Sequence, residues 1–257
     1  CPGLVNGIEA DAQRIMKYLN CRQIAIIAHA IADLGYFEKT NFFDAVVGQA
    51  IRIARDGNKQ DLVNTLWALA LAGKMKSRGL VLWSEVFKRN TDTFVLEEWR
   101  QLKLTQLLVG CEGIKLETSE LNQASMNRAA YNLTYNGTGI FEANTAKELR
   151  GFGFTDFKTE VSPFPGDEAG ELFRCDIAFE KEGLILELDG PKHFLRSLEM
   201  VGLGGKELMW EEGLRWNGAT KAKTRLTKSL GWQVMRVTWL KRMELDKIPK
   251  QERREFW

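Results

Sequence analysis

With 257 residues, 44% of them apolar and 27% charged, the chain can bury a real core and has room for one large domain or two modest ones. No apolar run approaches the roughly 18 residues that a spanning helix needs, so no membrane association is expected. The net charge of +2 conceals a split: Arg215 to Trp257 carries 12 Lys and Arg against 4 Asp and Glu, which leaves the rest of the chain near −6.

That split points to a polyanion as partner of the C-terminal part, a solvated basic helix being the plainer source of such charge. The four cysteines (Cys1, Cys21, Cys111 and Cys175) form no CxxC pair, and only His29 and His193 could assist them. They therefore read as reduced, packing cysteines of a reducing compartment rather than as zinc ligands. The chain opens on Cys1 rather than Met, so the expectation is a longer protein whose leading segment would hold any targeting signal.

The first half reads as successive helices, with no Pro between Gly3 and Ser162. Arg22 to Leu34 presents Ile24, Ile27, Ala28 and Ile31 on one face and ends at Gly35. Asn41 to Arg55 follows. Asp61 to Ala72 presents Leu62, Leu66, Leu69 and Ala70, with Asp61 in the N-cap region and Gly73 as the stop. Gly79 to Lys88 and Leu102 to Val109 continue the series, the latter ending at Gly110.

The three stopping glycines lie 38 and 37 residues apart, a period that fits an α-solenoid of helical pairs. Leu66-Trp67-Ala68-Leu69-Ala70-Leu71-Ala72-Gly73 resembles the first helix of octotricopeptide-type repeats, which often carries L-W-A-L-A-x-x-G. An ordinary helical bundle with chance spacing is the alternative reading of the same helices.

Residues 112–141 begin helical and turn polar, and the Asn136-Gly137-Thr138-Gly139 loop marks the expected domain boundary, with helical repeats over 1–135 and an α/β domain over 136–257. Beyond it come a helix from Glu142 to Leu149 and strands at Phe157 to Val161, Phe173 to Phe179 and Leu184 to Leu188. The last is an unbroken apolar run, which predicts a central strand covered on both faces. A Gly-rich excursion from Val201 to Gly218 precedes a basic helix from Thr220 to Leu230, a strand from Trp232 to Thr238 and a final charged helix.

Three separated elements in this half, Asp189-Gly190-Pro191-Lys192-His193-Phe194, Lys223-Thr224-Arg225-Leu226 and Leu230-Gly231-Trp232, resemble in content and order the RAP domain of organellar RNA-binding proteins. Octotricopeptide-like helices ahead of it are a common arrangement in that family. The resemblance covers about the last 115 residues and implies RNA binding in a mitochondrion or, alternatively, a plastid, with ribosomal RNA the leading ligand. It also implies a restriction-endonuclease-like fold for the α/β part. Active nucleases of that fold hold a divalent metal between carboxylates on adjacent strands, with a Lys nearby.

The residues themselves define what such a site would use. Gly190-Pro191 turns the chain and gathers Asp189, Lys192 and His193 at the C-terminal end of a strand, where open α/β sheets place ligands. If the strand that carries Asp176 pairs with the one that carries Glu187 and Asp189, its carboxylate can approach theirs at the same sheet edge. If the protein is a nuclease, Asp176, Glu187, Asp189, Lys192 and His193 are the catalytic candidates, with Asp176 and Asp189 holding Mg2+ or Mn2+ and His193 as general base. Asp189 occupies the position where a Lys is expected, so the preferred expectation is a non-catalytic RNA binder with no cofactor. The structural alternative makes Asp176 and Asp189 turn caps paired with Lys192 or Arg225.

For RNA, the expected contacts are Lys192, His193, Lys221, Lys223, Arg225 and Lys228, with Trp216 for stacking; Trp257 and Trp210 also fall among the basic residues, while Trp232 and Trp239 read as core. The helical part is short for a base-by-base code, which favours a module within a larger ribonucleoprotein such as the mitochondrial ribosome, with proteins of that complex as further partners. A metal-dependent endoribonuclease and a protein–protein scaffold are the alternatives.

Overall fold

A computed structural model describes residues 2–37, 40–89, 91–131, 139–164, 172–195 and 215–257. Within them, helices α1 (Pro2–Met16), α2 (Cys21–Asp33), α3 (Thr40–Ile53), α4 (Lys59–Ala72), α5 (Lys76–Phe87), α6 (Leu96–Gly110) and α7 (Glu120–Tyr131) make up the first half. The second half runs α8 (Ile140–Gly151), β1 (Lys158–Val161), β2 (Cys175–Phe179), β3 (Leu184–Asp189), α9 (Gly218–Ser229), β4 (Gln233–Thr238), α10 (Trp239–Leu245) and α11 (Lys250–Phe256). No helix among the described residues is long and apolar enough to cross a membrane. Trp210, Cys1 and most of the Gly-rich excursion and boundary loop lie outside the described residues.

The helix starts follow from side-chain caps. Asn20 accepts from the Gln23 N–H at 2.9 Å while the Gln23 side chain accepts from the Asn20 N–H at 3.0 Å, a reciprocal box that opens α2. At α4 the cap is Asn58, accepting from the Asp61 N–H, so Asp61 lies one turn inside rather than at the cap. Gly35 and Gly73 stop α2 and α4 in left-handed conformation (φ +65° and +66°). The third stop departs from that pattern: Gly110 is still helical and Gly113 takes the positive φ. The final charged helix is two helices, because Pro249 cannot continue α10 and instead opens α11.

α4 packs between α2 and α6, and α3 packs along α1 and α5. Ile24, Ile31, Leu62, Leu66 and Leu69 are all buried in one apolar cluster. The sheet has strand order β1-β2-β3-β4, antiparallel except for the parallel pair β3/β4. β3 is thus internal, as its apolar run predicts, with Ile185 and Leu186 buried on opposite faces. The parallel pairing requires a crossover, and α9 lies within it.

α9 lies between the helical layer and the sheet. Its Ala222 and Leu226 belong to the same buried cluster as Leu66 and Leu69, and so do Phe173, Cys175, Ala178 and Ile185 of the α/β part. One core therefore crosses the expected boundary. At the N-terminus of α9 the approach is so close that a Cβ on Gly218 would fall 1.9 Å from the Ala32 carbonyl oxygen, so only Gly fits. Further along, Lys221 donates to the Gly35 carbonyl at 2.7 Å, and Arg225 donates to Leu71 at 3.0 Å and to Ala70 at 2.7 Å. Two cations one helical turn apart thereby cap the carbonyl ends of α2 and α4.

Replacing Arg225 with Met removes two charge-assisted hydrogen bonds, one to the Leu71 carbonyl and one to the Ala70 carbonyl that also accepts the Gly73 N–H, and should cost roughly 1.5–3 kcal/mol of unfolding free energy in urea. Lys228→Met, at an exposed position of the same helix, should change stability by less than about 0.5 kcal/mol. Equal effects of the two would mean that α9 is not locked to the helical layer.

Candidate functional site

Two constellations of charge occupy the sheet beneath α9. The first gathers the turn after β3. Asp189 is fully buried, and the Arg236 guanidinium from β4 grips both its oxygens, with Nε 2.7 Å from Oδ2 and Nη2 on Oδ1. Arg236 Nη1 donates to Thr224 of α9 at 2.7 Å. His193 brings Nδ1 within 3.2 Å of both Asp189 Oδ1 and Thr220 Oγ1. Burial lowers the His193 pKa, with Arg236 and Lys223 opposing the carboxylate's pull, so the ring is neutral and its contact with Asp189 is a hydrogen bond rather than an ion pair. Thus β3, the turn, α9 and β4 are tied through one buried carboxylate.

The second constellation is a row across the strands. Thr159 and Val161 pair with Ile177 and Cys175, which sets Glu160 opposite Asp176; the β2/β3 ladder ends at Ile177 and Leu186, the residues next to Asp176 and Glu187. Glu187 in turn pairs with Arg236. Glu160 takes a left-handed φ of 54°, unusual for a residue with a side chain. Glu142, from the first turn of α8, reaches the same place beside Glu160. Lys223 of α9 donates to Glu187 Oε2 at 2.7 Å. Asp176 Oδ2 accepts the Leu188 N–H at 2.6 Å.

The cations do not balance this row. Burial, then the neighbouring Glu160 and Asp176, push the Glu142 carboxyl up to about 8, so at neutral pH it keeps a proton. Burial and Glu187 raise Asp176 to about 6, against the pull of Lys223 and the Leu188 N–H. Lys223 suffers the same burial, but Glu187, Cys175 and Asp176 outweigh it and hold its pKa above the usual value. The buried Glu142 Oε1 takes no hydrogen bond, and Glu187 Oε1 has only the weak Cys175 thiol beside it.

Several expectations about these residues are corrected. Both oxygens of Asp189 are engaged by Arg236, with His193 beside Oδ1, and neither Asp176 nor Asp189 pairs with Lys192 or Arg225. Among the described residues no three His, Cys, Asp or Glu side chains are grouped as metal ligands. Of the basic residues, Lys221, Lys223 and Arg225 point inward to Gly35, Glu187 and the end of α4, with Glu112 3.5 Å from Arg225. Lys228 alone of that group is exposed. The amphipathic pattern of α9 could not distinguish solvent from helix C-termini as the destination of its cations.

By contrast, Lys192, His193 and Trp216 are brought together. Asn217 donates to the Lys192 carbonyl at 2.9 Å and Phe194 bridges to Trp216, which sets the indole beside the turn. Trp216 is 36% exposed, with the Arg236 guanidinium 5.5 Å from its ring, and Lys192 is exposed. The sequence reading missed Glu142 and Glu160; only the paired strand register and the course of α8 bring them to Asp176. Comparison with known proteins finds no matching family model and no similar curated protein.

The raised pKa values fix the sign of a pH effect. Between about pH 4 and 8 the folded state binds more protons at Glu142 and Asp176 than the unfolded chain does, so their contribution to stability falls as pH rises through about 6 and about 8. Glu142→Gln keeps a donor toward Glu160 without the charge. It should be more stable than the parent at pH 9 by roughly 1–3 kcal/mol, with a smaller gap at pH 5. A gap that is the same at both pH values, measured by urea unfolding, would show that Glu142 does not carry the proton.

Proposed function

We propose that the chain is a non-catalytic RNA-binding protein of an organelle, with a RAP-like α/β part of restriction-endonuclease-like architecture behind an octotricopeptide-like α-solenoid. Support for the α/β assignment comes from the element order α8-β1-β2-β3-α9-β4 and the mixed sheet. The serial packing of α2, α4 and α6 is what a solenoid requires. The observation that carries the RNA reading is the half-exposed Trp216 beside exposed Lys192 and the neutral His193, at the C-terminal end of β3. An indole face, a cation and a neutral imidazole suit a stacked base and its phosphate. Ribosomal RNA is the proposed ligand, in a mitochondrion rather than a plastid, within a ribonucleoprotein whose other proteins are further partners.

Two orphaned oxygens favour a second reading, a metal-dependent endoribonuclease built on Glu142, Asp176, Glu187 and Lys223 rather than on Asp189. The two readings separate cleanly. For the binder, Trp216→Ala should weaken binding of a single-stranded RNA by roughly 5- to 100-fold, the worth of about one stacked base. Lys192→Ala should reduce the slope of log affinity against log salt by about one. Lys223→Met, whose cation already belongs to Glu187, should leave that slope unchanged if the protein stays folded. RNA cleavage that requires Mg2+ or Mn2+ and disappears in Asp176→Asn and Glu187→Gln would select the nuclease. Affinity indifferent to Trp216 and Lys192 would remove the proposed surface.

A further inference from the structure

The two nitrogens of His193 face different surroundings. Nδ1 sits 3.2 Å from Asp189 Oδ1 and 3.2 Å from Thr220 Oγ1. The Asp189 carboxylate, fully buried and gripped by Arg236, can only accept. A bare Nδ1 would set its lone pair against that oxygen, so Nδ1 carries the hydrogen. A neutral imidazole has one N–H, and burial favours the neutral ring by lowering its pKa. Nε2 is therefore a lone-pair acceptor, and the tie on the other side of the ring fixes its direction. Among the described residues nothing bonds to Nε2, and the side chain is 35% exposed.

Such an acceptor repels phosphate oxygens, which are acceptors too, and needs a donor from the ligand. The backbone indicates where that donor lies. The Asn217 N–H donates to the His193 carbonyl at 3.0 Å and the Asn217 side chain to the Lys192 carbonyl at 2.9 Å, while Phe194 bridges to Trp216. Along this ladder His193 stands between Lys192 and the Phe194–Trp216 bridge. In a nucleotide the sugar stands between the phosphate and the base. We propose that His193 Nε2 accepts a hydrogen bond from the ribose 2′-hydroxyl and so makes this surface selective for RNA over DNA. This contact rests on the stacking surface proposed for Trp216 and Lys192 and adds a sugar-reading group to it. Thr220 and Arg236 are then positioning residues, the first beside Nδ1 and the second holding Asp189.

The ring can be followed in the full chain, which holds His29 as its other histidine. In a long-range 1H–15N spectrum at about pH 7.5, the His193 signals, identified by their loss in His193→Asn, should show a protonated Nδ1 and an unprotonated Nε2. Adding a single-stranded RNA of mixed sequence should move the Nε2 resonance in the direction of protonation, as accepting a hydrogen bond does. The same strand made of DNA should not. A protonated Nε2 beside a bare Nδ1 would overturn the proposal.

Affinity is then measured by fluorescence anisotropy for one uracil-containing sequence carrying ribose, 2′-deoxyribose or 2′-fluoro sugars. The 2′-fluoro strand keeps the sugar pucker of RNA but has no donor. Both substitutes should bind roughly 3- to 10-fold more weakly than RNA, the worth of one hydrogen bond. In His193→Asn the amide nitrogen can still donate to Asp189 while the outward acceptor is gone, so RNA should fall to the affinity of the DNA strand. His193→Gln, whose amide oxygen can reach the place of Nε2, should regain part of the preference. A 2′-fluoro strand that binds as well as RNA, or a preference that persists in folded His193→Asn, would overturn the proposal. Equal binding of RNA and DNA, each weakened by Trp216→Ala, would overturn the sugar contact and leave the stacking surface standing. RNA affinity indifferent to Trp216 and Lys192 would overturn both.

Discussion

The carbonyl ends of α2 and α4 meet a helix that carries a cation for each of them. A helix C-terminus leaves four carbonyls without intrahelical partners and concentrates partial negative charge. Here those ends are turned toward α9, where water has limited access and side chains must supply the donors. Lys221 answers Gly35, and Arg225 answers Ala70 and Leu71. The residues between them on α9 are thereby fixed as well. Lys223 is aimed at Glu187 and Thr224 at Arg236, so the docking of α9 on the helical layer also sets the polar face of the sheet.

The two charge constellations under α9 differ in how far they are satisfied. Around Asp189 every strong group has a partner: a two-pronged guanidinium, an imidazole and, through Arg236, a threonine. Such a knot fixes the turn that follows β3 and is costly to break, because removing one partner leaves a buried charge unpaired. Around Asp176 three strand carboxylates and Glu142 gather, while Lys223 serves Glu187 and Asp176 and Arg236 is already engaged by Asp189. Protons make up the difference, as the raised pKa values of Glu142 and Asp176 record. Two carboxylate oxygens stay without strong donors even so. A fold that needed only stability would be served better by apolar side chains at these positions, so the row is the part of the sheet whose composition packing does not explain.

Local chemistry makes much of the architecture legible in the sequence. The apolar run Leu184-Ile185-Leu186 requires cover on both faces, and β3 is internal. Gly35 and Gly73 read as helix stops because left-handed termination leaves a residue signature. Boundaries drifted where capping is shared between neighbours, as at Asn58 and Asp61. What could not be read was whatever depends on tertiary register. Glu142 and Asp176 lie 34 positions apart in the chain, and neither carries a local motif that points to the other. The expected boundary near 136 likewise rested on composition, whereas the buried cluster joins Leu66 to Ile185 and Leu226.

The charge excess of the last segment illustrates the same limit in its sharpest form. Twelve Lys and Arg against four Asp and Glu looks like a surface prepared for a polyanion. Yet Lys221, Lys223, Arg225 and Arg236 spend their charge on carbonyls and carboxylates inside the protein, and Arg242 and Arg253 both pair with Glu148 of α8. Half of the segment's cations therefore hold the fold together. Much of the compensating negative charge, Glu112, Glu148, Glu187 and Asp189, lies earlier in the chain, which is why a count by segment shows an imbalance that the folded molecule largely cancels. Such a surface offers a polyanion little long-range attraction, so the charge count of the segment is no argument for an RNA partner. The proposed RNA contact therefore rests on directional groups, an indole face and the few cations beside it that the fold leaves exposed.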